Sequence, residues 1–277
     1  MKILVTGVKG QLGHDVAKEI KRRRLRCLGV DYDDFDITDK NSTLSAITKY
    51  TPNIVIHCAA YTAVDKAEDE SELCRNVNEC GTRHVAEACK LLDAKMIYIS
   101  TDYVFTGHGE HFHMPYDPTG PTSIYGKTKL AGEGAVREIL NKFFIVRTSW
   151  VFGTNGNNFV KTMMRIGKER DKIDVVCDQI GSPTYTADLA PLLCDIAATE
   201  KYDIYHATNE GTCSWAEFAQ EIFRQSGQST KVNPIQTSQY PARAARPLNS
   251  RLDKSCLIEA GFHSLPHWQD ALRRFLA

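Results

Sequence analysis

The stretch Ile3–Gly13, which reads ILVTGVKGQLG, decides the fold. Its first residues are apolar and predict a buried strand, and a segment with helical periodicity follows it. Between the two, Gly7, Gly10 and Gly13 allow a tight turn in which the backbone can approach a pyrophosphate at the helix N-terminus. The spacing is G-x-x-G-x-x-G instead of the more common G-x-G-x-x-G, so a purely structural glycine turn remains an alternative.

Apolar runs typical of strands alternate with helical segments as far as residue 147. We predict strands at 3–6, 27–30, 54–58, 96–100 and 143–147 and helices at 11–24, 41–50, 72–92 and 123–140. This alternation is typical of βαβ units and predicts the α/β class, with a Rossmann-type doubly wound parallel sheet. Residues 1–150 are expected to form the nucleotide-binding domain, and segments near 174–206 are expected to return to that domain. Residues 151–277 are expected to form mostly a smaller C-terminal α/β lobe that binds substrate.

The composition excludes several classes of protein. The 277 residues contain 34 Lys and Arg against 34 Asp and Glu, so the chain lacks the basic excess of a nucleic-acid-binding protein. No apolar run reaches the roughly 18 residues of a membrane span, and the first strand leads into glycines instead of a signal peptide. The nine cysteines are odd in number and never spaced C-x-x-C. We therefore expect a cytoplasmic protein with reduced thiols, a small-molecule substrate, no nucleic-acid partner and no membrane contact.

His108, His111 and His113 form the only histidine cluster, in a loop that also contains glycine, proline and aspartate. Such a loop is usually an exposed polar surface, and we predict no metal site. The loop belongs to the long connection 101–122, whose length makes it a candidate for contact with substrate.

The reacting groups are expected at the carboxyl ends of later strands, where open parallel sheets bind their ligands. Thr101 follows the fourth strand, and Tyr125 and Lys129 share one face of the next helix. The ordinary pKa of tyrosine, about 10, must approach neutrality for efficient proton exchange. A neighbouring ammonium and a cationic nicotinamide both stabilise phenolate, so we expect a proton relay in which Thr101 contacts the same substrate oxygen.

These motifs resemble the extended short-chain dehydrogenase/reductase superfamily and, within it, the family of dTDP-4-dehydrorhamnose reductases. The segments that carry the resemblance are GQLG (10–13), CAAYTAVDKAE (58–68), STDYVF (100–105), RTSWVFG (147–153), DQIGSPT (178–184) and RPLNSRLD (246–253). The resemblance implies NAD(P)H-dependent reduction of the C4 ketone of dTDP-6-deoxy-L-lyxo-4-hexulose to dTDP-L-rhamnose. Tyr125 would then protonate the alkoxide, Lys129 would hold the nicotinamide ribose and bias the pKa of Tyr125, and Thr101 would orient the carbonyl.

The glycine motif and the resemblance together predict the cofactor site. Its expected residues are Gly7, Gly10, Gln11, Leu12, Gly13, Asp31, Asp36, Ile37, Ala59, Ala60, Thr62, Asn78, Tyr125 and Lys129. Asp31 lies where an acidic side chain can bind the adenosine ribose, whereas Asn78 has a plain helix-surface alternative. The cofactor is expected to be NADPH or NADH. No Arg or Lys lies between Asp31 and Lys40, and carboxylates repel a 2′-phosphate, so we expect NADH to be used at least as well as NADPH.

The resemblance also implies that the dTDP-linked 4-keto-6-deoxy sugar contacts Thr101, Tyr103, Trp150 and Arg246. Arg243 and Arg246 suit bidentate capture of a diphosphate, and an aromatic face suits a thymine or sugar ring. Trp150 could instead be core between the lobes, and Arg246 a surface ion pair.

Three other functions remain to be weighed. Dehydratases of the superfamily carry Asp-Glu after the threonine, whereas Asp102 is followed here by Tyr103, which argues against dehydration. Another nucleotide-sugar epimerase or reductase keeps the same triad. The regulatory β subunit of methionine adenosyltransferase resembles the family without catalysing its reaction, but an intact triad favours catalysis.

Some relatives dimerise around a magnesium ion held by carboxylates. No matching set of carboxylates is evident in this sequence, and whether the protein forms a homodimer stays open.

Overall fold

The computed structural model describes residues 1–277 and has a regular βαβ order in its first part. The elements there are β1 (Lys2–Thr6), α1 (Gln11–Arg22), β2 (Arg26–Val30), α2 (Lys40–Tyr50), β3 (Ile54–His57), α3 (Val64–Ala67), α4 (Ser71–Arg75), α5 (Thr82–Leu91), β4 (Lys95–Thr101), α6 (Ile124–Ile139) and β5 (Phe143–Thr148). The helix predicted at 72–92 is in fact interrupted, because a π-helical turn, Asn76–Gly81, separates α4 from α5.

The remaining elements are shorter and more irregular. They are β6 (Val151–Phe152), α7 (Phe159–Ile166), β7 (Lys172–Val176), β8 (Ile180–Gly181), β9 (Thr184–Tyr185), α8 (Thr186–Ala197), β10 (Ile204–His206), β11 (Asn209–Glu210), β12 (Cys213–Ser214), α9 (Trp215–Gln225), β13 (Lys231–Ile235), β14 (Asn249–Ser250), α10 (Ser255–Glu259), β15 (Leu265–His267) and α11 (Trp268–Leu276). No helix combines the length and the apolar character needed to cross a bilayer.

The central sheet has six strands in the order β10-β5-β4-β3-β1-β2, and every neighbouring pair is parallel. The chain winds outward from β1 in one direction to β2 and in the other to β3, β4, β5 and β10. The predicted doubly wound parallel sheet is confirmed. Ligands of such sheets bind where the winding direction reverses, here at the carboxyl ends of β1 and β3.

Apolar side chains bury both faces of this sheet. One core lies under α1 and α8 and includes Val16, Ile20 and Leu193, whereas the other lies under α2, α5 and α6 and includes Ile47 and Val85. This two-sided burial accounts for the nearly continuous apolar strands of the sequence.

A third core, around Phe152, Phe218 and Trp268, belongs to a smaller lobe. β7 pairs with β13 in this lobe and does not join the central sheet. Within the range 174–206, α8 packs on the central sheet and β10 lies beside β5.

Candidate active site

A cleft of about 800 Å³ opens between the carboxyl edge of the central sheet and the small lobe. Its volume suits a large organic ligand. Most of the residues predicted for the site line it: Gly7, Gly10, Gln11, Leu12, Gly13, Asp31, Asp36, Ile37, Ala59, Ala60, Thr62, Thr101, Tyr103, Tyr125, Lys129 and Trp150. Asn78 and Arg246 do not.

The glycine turn forms one end of the cleft and has no room for side chains. Gly7 has a φ of +72°, and a Cβ placed there would lie 2.7 Å from the backbone nitrogen of Ala59. A Cβ on Gly13 would lie 2.2 Å from the carbonyl oxygen of Gly7. Gly10 is the N-cap of α1, and no side chain caps the first turn of that helix. The first turn of α1 therefore presents backbone N–H groups that no side chain caps, and these suit phosphate oxygens.

Acidic residues surround the part of the cleft that adjoins the glycine turn and the end of β2. Asp31 Oδ2 accepts a hydrogen bond from the backbone N–H of Lys9 at 2.8 Å, so β2 is tied to the glycine turn. The ammonium of Lys9 pairs with Asp33 and lies 4.8 Å from the centre of the Tyr32 ring. The one cation of this region is thus already neutralised by a neighbouring carboxylate.

The small lobe contributes residues that the sequence analysis did not identify. The Asn155 side chain donates to the carbonyl oxygens of Lys9 and Gly10 at 2.7 and 3.1 Å, and Asn158 donates to Gln11 Oε1 at 2.9 Å. These contacts hold the lobe against the glycine turn. The only available signal was the composition of the loop GTNGNN at 153–158, which predicts a turn but not its partner.

The opposite wall of the cleft carries the predicted triad. Ser123 caps α6 by accepting from Gly126 N–H at 3.1 Å, which fixes the start of the helix and the position of Tyr125 in its first turn. Tyr125 and Thr101 both line the cleft, and the Tyr125 ring lies edge-on to the Tyr103 ring with centroids 5.4 Å apart. The structure therefore brings together groups from β4 and α6, as the strand order requires.

Burial changes the pKa values of both Lys129 and Tyr125. Lys129 is buried, donates to the carbonyl oxygen of Ile99 at 2.7 Å and lies 4.1 Å from the centre of the Tyr98 ring. Burial lowers the pKa of Lys129 to about 7. Deep placement in the cleft raises the pKa of Tyr125, although the neighbouring Thr101 hydroxyl opposes this change. Desolvation is therefore the largest influence on the pKa of Tyr125 in the protein alone, and the effect expected of Lys129 beside a bound nicotinamide stays a prediction.

Asp102, next to the triad, is a buried carboxylate that sequence reasoning used only to argue against dehydration. It accepts hydrogen bonds from Thr101 Oγ1 at 2.9 Å and from the Ser250 hydroxyl of the small lobe. Burial raises the pKa of Asp102 to about 6. The residue therefore fixes the Thr101 hydroxyl and joins the two lobes at the bottom of the cleft.

A buried ion pair lies behind the triad and was also missed. Glu133, one turn after Lys129 on α6, binds Arg147 of β5 through two hydrogen bonds of 2.8 and 2.6 Å. The side chains of Glu133 and Arg147 are only 2% and 3% exposed. Ser100 donates to Glu133, and Arg147 donates to the carbonyl oxygen of Pro115 at 2.8 Å. The pair thus connects the sheet, α6 and the long loop.

Trp150 fits both interpretations offered for it. Its backbone is left-handed, with a φ of +49°, and its ring stacks on Trp215 with centroids 3.8 Å apart. Both rings line the cleft. Trp150 is therefore packed between the lobes and also presents an aromatic surface to a ligand.

The two arginines predicted for a diphosphate form ion pairs at the rim. Arg246 binds Asp65 at 2.6 Å, and Arg243 pairs with Asp69. Arg246 also faces Tyr103, which lines the cleft. The structure contains the surface ion pair that was the alternative for Arg246, next to the position expected for a substrate ligand.

Asn78 lies in the π-helical turn, behind the cleft. It is buried, and its amide accepts from Tyr61 N–H at 2.8 Å and donates to the Tyr61 carbonyl oxygen at 3.1 Å. It therefore holds the backbone after β3, which carries Ala59, Ala60 and Thr62. Its burial rules out the helix-surface alternative, and its contact with the cofactor stays a prediction.

Comparison with known proteins gives a consistent result along the whole chain. The family model described as the RmlD substrate binding domain matches residues 1–277. The dTDP-4-dehydrorhamnose reductase of Aggregatibacter actinomycetemcomitans is 41% identical over 289 residues, covering 100% of this chain and 98% of the relative.

Two solved structures show the same arrangement in three dimensions. A dTDP-4-dehydrorhamnose reductase from Clostridium acetobutylicum has a TM-score of 0.97 at 40% identity, covering 100% of this chain and 98% of its own. The enzyme from Bacillus anthracis, solved in complex with NADP, has a TM-score of 0.97 at 45% identity and covers 99% of each chain. Sequence and structure together place this chain in the RmlD substrate binding domain family, among the dTDP-4-dehydrorhamnose reductases.

Proposed function

We propose that this protein reduces the C4 ketone of dTDP-4-dehydrorhamnose to give dTDP-L-rhamnose, with NADPH or NADH as the reductant. The observation that carries the proposal is the convergence of Thr101, Tyr125 and Lys129 with a glycine turn in one cleft. Relatives of at least 40% identity over essentially the whole chain bear the name of this reductase, and one of them was solved with NADP.

The residues of the cleft fit a nicotinamide dinucleotide. Gly7 and Gly13 leave a cradle that any side chain would fill, and Asp31 is placed at the end of β2 for a ribose hydroxyl. Lys129 lies at the other end, where its ammonium can donate to the nicotinamide ribose. The reduced nicotinamide would supply the hydride that adds to C4.

Tyr125 supplies the proton for the C4 oxygen. A raised pKa keeps its hydroxyl protonated at neutral pH, which is the state that a proton donor needs in the direction of reduction. Thr101 orients the carbonyl, and Asp102 holds the Thr101 hydroxyl in place. A positive charge on Lys129 and on the oxidised nicotinamide would then stabilise the phenolate that remains.

We assign the nucleotide-sugar to Tyr103, Trp150 and Arg246. The diphosphate would share or replace the contact between Arg246 and Asp65, and the aromatic rings would pack against thymine or the sugar. Residues 1–150 with α8 and β10 would bind the cofactor, and the rest of the chain would bind the sugar nucleotide.

Replacing Arg246 by Ala is expected to raise the KM for the sugar nucleotide about tenfold. Arg243→Ala is the matched control with a smaller expected rise, because Arg243 is 66% exposed and Arg246 only 27%.

The deciding assay follows the absorbance of reduced nicotinamide while the 4-keto sugar is generated in situ. One equivalent of nicotinamide should be oxidised for each dTDP-L-rhamnose formed, whereas an epimerase would give no net oxidation. The Tyr125→Phe variant serves as the control for uncatalysed loss. Oxidation no faster than in that variant would refute the reductase proposal; conversion of the sugar without oxidation would then favour an epimerase, and no conversion would favour the regulatory-subunit alternative.

Cofactor preference is part of the proposal. Asp31 and Asp36 line the part of the cleft assigned to adenosine, and Lys9 is paired with Asp33. A 2′-phosphate must enter this acidic region and compete for Lys9, so we expect kcat/KM for NADH to be at least as high as for NADPH. A ratio strongly favouring NADPH would overturn this part while leaving the reductase assignment intact.

A further inference from the structure

The long loop between β4 and α6 gathers three potential metal ligands outside the cleft. The ligand atoms of His111, His113 and Asp117 all lie within 4.8 Å of one another, and His111 Nε2 is 3.7 Å from Asp117 Oδ2. The sequence pattern predicted an exposed polar loop and no metal. The structure brings two of the three histidines to a carboxylate that the pattern did not include.

The surroundings hold this cluster in shape. His113 is buried, and its backbone N–H and C=O bond to Arg251 and Asp253 at 2.9 Å each. Its ring stacks on Phe105 with centroids 4.3 Å apart and planes 4° from parallel. Asn249 Nδ2, of the same segment as Arg251, lies 3.5 Å from His113 Nε2. One imidazole is therefore fixed by packing before any ion binds.

The carboxylate is fixed as well. Asp117 Oδ2 accepts from the backbone N–H of Met114 at 2.8 Å, and the carbonyl oxygen of Pro115 is held by Arg147 at 2.8 Å. Groups that orient a ligand in this way are typical of metal sites, because they reduce the loss of conformational freedom on binding. His111, with 62% of its side chain exposed, is the one ligand that is free to move.

We propose that His111, His113 and Asp117 bind one divalent transition-metal ion of the zinc type, with water at the fourth position. Two imidazoles and one carboxylate form a borderline nitrogen and oxygen donor set, which suits zinc better than magnesium or calcium. Tetrahedral ligands about 2.0 Å from zinc lie about 3.3 Å from one another, so ligand atoms that are at most 4.8 Å apart need to approach by no more than about 1.5 Å to close the site.

The place of the site in the fold indicates its role. None of the three ligands lines the cleft, so the ion would lie outside it. It would hold residues 111–117 together around His113, which stacks on Phe105 and pairs with the segment 249–253, and Ser250 of that segment donates to Asp102. The ion would have a structural role, because it would stabilise the loop that forms one wall of the active site.

The test is a calorimetric Zn²⁺ titration of protein without an affinity tag, after removal of bound metal with a chelator. We expect one equivalent to bind and the melting temperature to rise with Zn²⁺ concentration. His111→Ala should weaken binding at least tenfold and abolish the rise. His108→Ala is the matched control, because His108 is an exposed residue of the same loop outside the cluster, and it should leave binding unchanged.

A second measurement distinguishes metal binding at this site from metal binding by the nine cysteines. Co²⁺ bound by His and Asp gives visible bands without the intense near-ultraviolet absorption that thiolate ligands add. No stoichiometric binding, thiolate absorption, or equal losses in the His108 and His111 variants would each overturn the proposal. Circular dichroism confirms that the two variants are folded.

Discussion

Replacing Arg147 by Met tests the buried ion pair behind the triad. The substitution keeps much of the side-chain volume but removes both hydrogen bonds to Glu133 and the one to the Pro115 carbonyl. It leaves Glu133, whose side chain is only 2% exposed, with the Ser100 hydroxyl as its remaining partner. Breaking such a pair on one side typically costs about 3–5 kcal/mol, and we expect a loss of that size in the free energy of unfolding at pH 7.

Urea unfolding of three proteins measures the effect. Arg147→Met should unfold at a lower urea concentration than the wild type, and the double variant with Glu133→Leu should recover part of the loss, because no buried charge remains. A cost below about 1 kcal/mol for Arg147→Met, or a double variant no more stable than Arg147→Met, would refute the reasoning.

Three further predictions concern the cleft. Tyr125→Phe should lower kcat by about 10²–10⁴-fold while cofactor affinity, measured by calorimetry, changes little; an unchanged kcat would remove Tyr125 from proton donation. Asp102→Asn should remove a decline in the free energy of unfolding as the pH rises from about 4 to 6, because the raised pKa of Asp102 means that the folded protein binds this proton more tightly than the unfolded chain does. An unchanged slope of the free energy of unfolding against pH, measured by urea unfolding, would contradict this. Gly13→Ala should abolish measurable cofactor binding, whereas Gly134→Ala, with nothing within 4 Å of the new Cβ, should bind normally and gain about 1 kcal/mol; equal cofactor affinities would show that the glycine turn is not a cradle.

The parts of the site that sequence reasoning found are encoded locally. Gly7, Gly10 and Gly13 lie within one turn, and Tyr125 and Lys129 within one helical repeat, so a short window contains the whole pattern. Their meeting with Thr101 followed from the strand order, since the carboxyl ends of parallel strands share one edge.

The parts that it missed depend on distant pairs. Asp102 accepts a hydrogen bond from Ser250, which lies 148 residues later in the chain, and no sequence pattern around either residue indicates its partner. Glu133 resembles any charged helix residue until α6 packs over β5 and buries it against Arg147. The burial of His113 could not be predicted for a related reason, because it results from pairing with the segment 249–253.

The interleaving of the two lobes affects how the protein can be made and divided. The core under α1 draws on Leu193 of α8, Tyr205 of β10 and, much later in the chain, Leu257 and Leu265. A nascent chain that has emerged only as far as β5 would leave that face of the sheet open to solvent, so folding on the ribosome should stay incomplete until almost the last residues appear. For the same reason, a fragment ending near residue 150 should aggregate when expressed alone, and a chain nicked between the lobes should remain associated.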